Sequence, residues 1–309
     1  MSSHAENTAL AAVIGLGSMG FGMARSMKHA GLEVVGYDIM PAAVERFVAE
    51  GGRGAATATE AARGADIIVS VVVNAEQTEA ILFGPEGIAD AIKPGAVFVS
   101  SATMDPAVAR ELSRRAEALG FHYLDAPISG GAAKAASGEL TIMASGSKAA
   151  FETARPALDA MAAKVYELGD TAGTGAALKM INQLLAGVHI AAACEAISFA
   201  AKQGLDLGKV YEVITASAGN SWMFENRVPH VLAGDYTPRS AIEIFVKDLG
   251  IVQDMARSER YPVPLAAAAL QMYLAAAGAG MGRDDDASLA RLYAQLSGAA
   301  LPGSNSENE

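Results

Sequence analysis

The chain has 309 residues, a length that suits two domains. Hydrophobic residues make up 51% and charged residues 18%, which permits a large core and excludes wholesale disorder. The net charge of -11, from 23 Lys plus Arg against 34 Asp plus Glu, excludes nucleic acid as a natural partner; any anionic substrate has to be met by local basic groups.

The first eight residues, MSSHAENT, are polar and lack the apolar core of a signal peptide. Residues 9–15 (ALAAVIG) form a short apolar run ending in glycine and read as a strand. Residues 18–31 have helical periodicity and stop at Gly31, and 32–38 (LEVVGYD) form a second strand. Between the first strand and its helix stands Gly15-Leu16-Gly17-Ser18-Met19-Gly20. In that position the first glycine permits a tight turn, the second lets a pyrophosphate approach the backbone, and the third allows close helix–strand packing. Free N–H groups at the helix start then face the anion. Asp38 follows Gly20 by 18 residues, at the end of the second strand. A carboxylate there accepts from the adenosine ribose hydroxyls and repels a 2′-phosphate, so the expected cofactor is NAD.

Further strands are expected at 65–73, 96–101 and 121–127, with helices at 41–49, 75–83 and 105–120 between them. This alternation predicts a Rossmann-type, doubly wound parallel sheet. A pair of strands at 139–146 and 164–169, flanking a helix at 148–162, is expected to extend it. Val72, Val73 and Asn74 follow one strand and Thr103 another, on the carboxyl edge of the sheet where cofactors lie. Ser129-Gly130-Gly131 follows a strand end and a proline; its backbone N–H groups and the Ser129 hydroxyl can receive a carboxylate. Asp125 is expected to anchor that loop.

After Gly169 the pattern turns all-helical, with segments at 173–203, 206–218, 220–233, 241–259, 264–279 and 285–297. The expected division is a dinucleotide-binding domain over 1–169 and an all-α domain over 170–309. The long first helix carries Lys179 and Asn182 three residues apart, which places a cation and an amide on one face. Gln183 is expected to point off that face. His189 reads as a satisfied core histidine and Cys194 as a small core residue; one cysteine excludes an intrachain disulfide framework. His230 and the stretch Trp222–Arg227 read either as the specificity end of a pocket or as packing. Asp284-Asp285-Asp286 reads as the acidic start of the last helix. No His, Cys and Glu cluster has ligand spacing, so no metal is expected. The two most apolar stretches are interrupted by polar residues or glycines; no membrane span and a cytoplasmic protein are expected.

Four stretches together resemble the β-hydroxyacid dehydrogenase family, which includes 3-hydroxyisobutyrate dehydrogenase and tartronate semialdehyde reductase. They are VIGLGSMGFGMA (13–24), DAPISGGAAKAASGEL (125–140), GAALKMINQ (175–183) and VKDLG (246–250), in family order. The resemblance implies a Rossmann-type domain followed by a helical one for substrate binding and dimerisation, NAD as cofactor, a small-molecule hydroxy-acid substrate, and a homodimer or homotetramer. It assigns Lys179 as the catalytic acid/base, Thr103 to the nicotinamide half, and Lys247 as a lysine that reaches the cofactor. Many family members carry two asparagines where this chain has Asn182-Gln183. A narrower likeness in 182–196, 220–241 and 244–250 points to a short sugar acid, with 3-hydroxyisobutyrate and tartronate semialdehyde as alternatives. A dinucleotide-sensing module without turnover is the alternative of another class.

Overall fold

A computed structural model describes residues 9–303, so the polar N-terminal stretch and the last six residues of the tail lie outside the description. The first part runs β1 (Leu10–Ile14), α1 (Ser18–His29), β2 (Glu33–Tyr37), α2 (Pro41–Ala49), β3 (Arg53–Gly54), α3 (Ala58–Ala62), β4 (Ile67–Ser70), α4 (Ala75–Phe83), β5 (Val97–Ser100), α5 (Pro106–Ala118) and β6 (His122–Asp125). The six strands pair in the order β3-β2-β1-β4-β5-β6, all parallel. Side chains alternate across each strand. Ala11 and Val13 therefore enter one core with Met23, Met27, Leu124 and Leu158, while Ala12 and Ile14 enter another with Phe98, Leu112 and Tyr123. Both faces of the sheet are covered, as a parallel sheet requires. Helix starts are specified locally. Thr57, Asn74 and Asp105 accept backbone N–H groups at the starts of α3, α4 and α5, and prolines open α2 and α5.

Next come β7 (Ile128–Ser129), α6 (Gly131–Ser137), β8 (Leu140–Ala144), α7 (Lys148–Met161) and β9 (Ala162–Glu167). These strands do not extend the parallel sheet. They form a separate three-stranded sheet in which β7 runs antiparallel to β8 and β8 parallel to β9. The two sheets touch through one antiparallel bridge, Asp125 to Ser145, closed by backbone hydrogen bonds of 3.0 and 2.8 Å. The short β7 and α6 reverse the chain between β6 and β8, so a continuous parallel crossover does not form.

The remainder is helical: α8 (Thr174–Lys202), α9 (Leu207–Thr215), α10 (Trp222–Ala233), α11 (Ile242–Ser258), α12 (Pro264–Ala276) and α13 (Leu289–Ser297). Its core gathers Ile190, Ile197, Phe224, Leu249 and Tyr273, with Phe245 and Tyr273 stacked at 5.3 Å. Two compact units divide between Lys179 and Met180, inside α8. By length and composition α8 and residues Pro264–Met281 would pass as membrane spans, contrary to expectation, because His189 and Glu195 are too few to lower an Ala- and Leu-rich average; half of the tested α8 window is buried inside the protein.

Candidate active site

The glycine loop has the shape its sequence implies. Gly15 has φ +97°, and a Cβ there would lie 2.4 Å from the Val71 carbonyl oxygen. A Cβ on Gly20 would lie 1.8 Å from the Gly15 oxygen, so α1 can approach the strand only with glycine present. Gly17 is different: a Cβ there meets nothing within 4 Å, because the side it faces is open. Gly17 is also the N-cap of α1 and has no side chain to cap the helix, which leaves its first N–H groups for an anion. Leu16 is buried, whereas Ser18 is exposed and Met19 half-buried at the loop's outer side. Asp38 accepts the Leu16 N–H at 2.6 Å through Oδ2 and the Met40 N–H at 2.8 Å through Oδ1. Its carboxylate is thereby held against the loop. Arg46, unforeseen from the sequence, lies 3.9 Å from the centre of the Phe21 ring and donates to the Leu16 oxygen at 3.3 Å. An open glycine cradle at a helix start and a fixed carboxylate 18 residues beyond it fit a dinucleotide.

On the carboxyl edge, Val72 and Val73 follow β4; Val73 is exposed, and its N–H donates to Gln77 Oε1 at 2.8 Å. Asn74 is engaged as the N-cap of α4, accepting the Gln77 N–H at 2.9 Å. Thr103 is half-buried in the segment between β5 and α5.

Lys179 is 8% exposed, and its Nζ donates to the Ile128 carbonyl oxygen at 2.9 Å. Ile128 directly precedes Ser129-Gly130-Gly131, so the amine and this turn are brought together. Gly130 (φ +139°) and Gly131 (φ +78°) take a backbone path open to glycine, and Gly130 is the N-cap of α6. The turn is tied to α1, the helix that follows the glycine loop. A Cβ on Gly22 of α1 would lie 2.7 Å from the Ala136 nitrogen, and Ser26 Oγ donates to the Ala135 oxygen at 2.9 Å. Asp125 anchors the lysine's helix rather than the loop alone. Its Oδ2 accepts the N–H of Gly173 at 2.9 Å and of Ala176 at 2.8 Å, and the Ser145 hydroxyl at 3.2 Å. Burial pushes the Asp125 carboxyl above the usual carboxylate range, against the pull of those backbone donors.

Asn182, one turn further along α8, donates through Nδ2 to Gln183 Oε1 at 2.9 Å. Gln183 does not point off the face. It is 7% exposed, and its Nε2 donates to Asp248 Oδ2 at 2.5 Å. Residues three and four positions on flank the same face as Lys179, and that spacing was the signal for Gln183. Lys247 pairs with Asp248 Oδ1 at 2.5 Å.

Two other expectations change. His189 is exposed, not a core histidine, because it falls on the outer side of α8. Asp285 and Asp286 do open the last helical stretch, Asp285 capping the 3-10 turn Asp286–Ser288 that runs into α13, but both are fully buried. Asp286 holds Arg227 at 2.5 and 3.1 Å; Asp285 holds His230 Nδ1 at 2.9 Å, and Arg239 Nη1 lies 2.7 Å from the other ring nitrogen. His230 and Arg227 are thus committed to packing within the helical unit. Cys194 is buried, and burial raises its thiol far above the ordinary range, as suits a core residue. No group of His, Cys, Asp and Glu among the described residues could hold a metal ion.

Residues 11–169 match the family model for the NAD binding domain of 6-phosphogluconate dehydrogenase, and residues 173–293 match that for the NAD-binding part of NADP-dependent 3-hydroxyisobutyrate dehydrogenase. The chain is 52% identical to L-threonate dehydrogenase of Cupriavidus necator, over 94% of this chain and 97% of that one. Identity to L-threonate dehydrogenase of Escherichia coli K12 is 47%, over 95% and 97%. Among solved structures, 3-hydroxyisobutyrate dehydrogenase from Salmonella typhimurium superposes with a TM-score of 0.88 at 51% identity, over 92% of this chain and 99% of that one.

Proposed function

The chain belongs to the 3-hydroxyisobutyrate dehydrogenase family of NAD-dependent oxidoreductases, and on that premise we propose that it oxidises L-threonate to 2-oxo-tetronate. The observation that carries the reading is the buried Lys179 amine, 2.9 Å from the Ile128 oxygen, beside a turn able to receive a carboxylate. Relatives about half identical over nearly the whole chain support the choice of acid.

When bound, NAD supplies the hydride acceptor. Gly15 to Gly20 receive the pyrophosphate at the start of α1, and Asp38 receives the adenosine ribose. Val72, Val73, Asn74 and Thr103 line the carboxyl edge toward the nicotinamide half, and Lys247 is a further cofactor residue. Ser129, Gly130 and Gly131 hold the substrate carboxylate through the hydroxyl and backbone N–H groups. Lys179 accepts the proton that the reacting hydroxyl gives up, at a position largely screened from bulk water. Asn182 hydrogen-bonds the substrate. Residues 1–169 serve the cofactor, and 170–309 serve the substrate and assembly.

A second acid, 3-hydroxyisobutyrate, is favoured by the name of the Salmonella relative. Tartronate semialdehyde is a third candidate. Initial rates of NADH formation with L-threonate and 3-hydroxyisobutyrate, and of NADH consumption with tartronate semialdehyde, separate these readings. L-threonate is expected to give the highest kcat/KM; a tenfold advantage for another acid overturns the assignment. Exposed apolar side chains on α8 and α12, among them Phe199 and Leu265, favour a homodimer or homotetramer, a state that sedimentation reads directly.

A further inference from the structure

Four side chains in the helical unit form a chain: Asn182 and Lys247, given roles toward substrate and cofactor above, and Gln183 and Asp248, which have none there. Asp248 is 1% exposed, and its carboxylate offers only acceptors. Oδ1 takes the Lys247 ammonium and Oδ2 takes Gln183 Nε2, each at 2.5 Å. A buried amide placed against a carboxylate must present its NH2 group, because its oxygen would leave two acceptors opposed. Gln183 Oε1 consequently faces the other way, and there it accepts from Asn182 Nδ2 at 2.9 Å. One polarity thus runs from the carboxylate to the asparagine. With Nδ2 committed, the Asn182 amide has a fixed plane and a fixed sense, and Oδ1 is its acceptor end.

We propose that Gln183, held by Asp248, is a positioning residue that makes Asn182 a fixed acceptor for a substrate hydroxyl beside the reacting carbon. The inference rests on the dehydrogenase reading, in which Asn182 meets the hydroxy acid. Lys179 takes the proton of the reacting hydroxyl, so an acceptor on Asn182 serves a neighbouring O–H. A site built to accept that bond discriminates against an acid that carries a methyl group instead, because the oriented amide oxygen is then left without a donor. Gln183 therefore governs selectivity for polyhydroxy acids over 3-hydroxyisobutyrate rather than the chemical step.

The test compares kcat/KM for L-threonate and for 3-hydroxyisobutyrate in three proteins. These are the wild type, Gln183→Met, which keeps length and removes both bonds, and the double variant Gln183→Glu with Asp248→Asn. In the double variant the amide introduced at position 248 would donate to one oxygen of residue 183 and Asn182 to the other, so the polarity and the net charge are preserved. Gln183→Met is expected to lose about tenfold of the preference for L-threonate, mostly through KM, with NAD affinity kept and the melting temperature lowered by the donor that the buried Asp248 carboxylate loses. The double variant is expected to stay within about threefold of wild type. The relay is overturned if wild type shows no preference for L-threonate, if Gln183→Met keeps the preference within twofold, or if its activity, NAD affinity and melting temperature fall together. A double variant no more selective than Gln183→Met also overturns it. No NADH from any acid in wild type overturns the dehydrogenase reading as well, which separates that failure from the relay's own.

Discussion

Lys179 ends against a carbonyl oxygen, not in water, and this placement was half legible. A lysine and an asparagine three apart in an apolar helix mark a shared face, but sequence does not say what that face meets. The partner, Ile128, is 51 residues away and belongs to a two-residue strand. The shape of the glycine loop was legible, because it is fixed by local backbone geometry: Gly15 by its positive φ, Gly20 by the oxygen that leaves no room for a Cβ. Gln183 was misread although its four-residue spacing from Lys179 marks the same face; its partner, Asp248, lies 65 residues on, where no local pattern points. Asp38 carries a prediction at this scale. Its two oxygens fix the Leu16 and Met40 N–H groups, and the Arg46 guanidinium lies at the same loop. In the proposed reading, Asp38→Ala removes the acceptor for the ribose and the repulsion of a 2′-phosphate, and leaves Arg46 in place. The KM for NAD is expected to rise about 10-fold or more and the NAD-to-NADP preference to fall by a similar factor. Unchanged NAD over NADP preference in steady-state kinetics would show that Asp38 does not set the cofactor.

At the level of elements, the first turn of α8 explains why the lysine is held where it is. The N–H groups of Gly173 and Ala176 point at Asp125 at the end of β6, and the Gly175 N–H donates to Ser145 Oγ at 2.9 Å. A Cβ on Gly175 would sit 2.4 Å from the Met143 oxygen, so the helix approaches β8 only because that position is glycine. Burial opposes ionisation of Asp125, while the donors and the positive end of the helix favour it. The net gain is smaller than three charge-assisted bonds, yet removing the carboxylate strands three buried donors. Asp125→Ala is expected to cost about 3 kcal/mol, and Asp125→Asn about 1 kcal/mol because its amide oxygen still accepts. Denaturant unfolding measures both; an Ala variant within about 0.5 kcal/mol of wild type would remove Asp125 as the anchor of α8. The long periodic helices and the buried strands were legible from their hydrophobic spacing. The two-residue β3 and β7 and the seven-residue α6 were not, since elements that short show no period and arise from tertiary pairing.

For the molecule as a whole, strands alternating with helices and then helices alone were enough to give the architecture. The order β3-β2-β1-β4-β5-β6 was not legible, because alternating strands and helices with right-handed crossovers permit more than one order. The separate β7-β8-β9 sheet was not anticipated, because the turn at Gly130 and Gly131 reverses the chain without a hydrophobic signature. The apolar composition of α8 serves two purposes: one side joins the helical core through Ile190 and Ile197, while Phe199 and Leu185 remain exposed. Composition alone could not separate those sides from a membrane span. In the proposed reading, the overall negative charge leaves the local donors at Ser129 to Gly131 and the Lys179 amine to hold an anionic acid. Proton transfer at Lys179 is tested most directly by NADH formation from L-threonate in Lys179→Ala, with NAD affinity measured on the same sample. Turnover is expected to fall by about 10²- to 10⁴-fold while the Kd for NAD changes by less than about threefold; turnover within tenfold of wild type would contradict a proton-accepting role for this lysine.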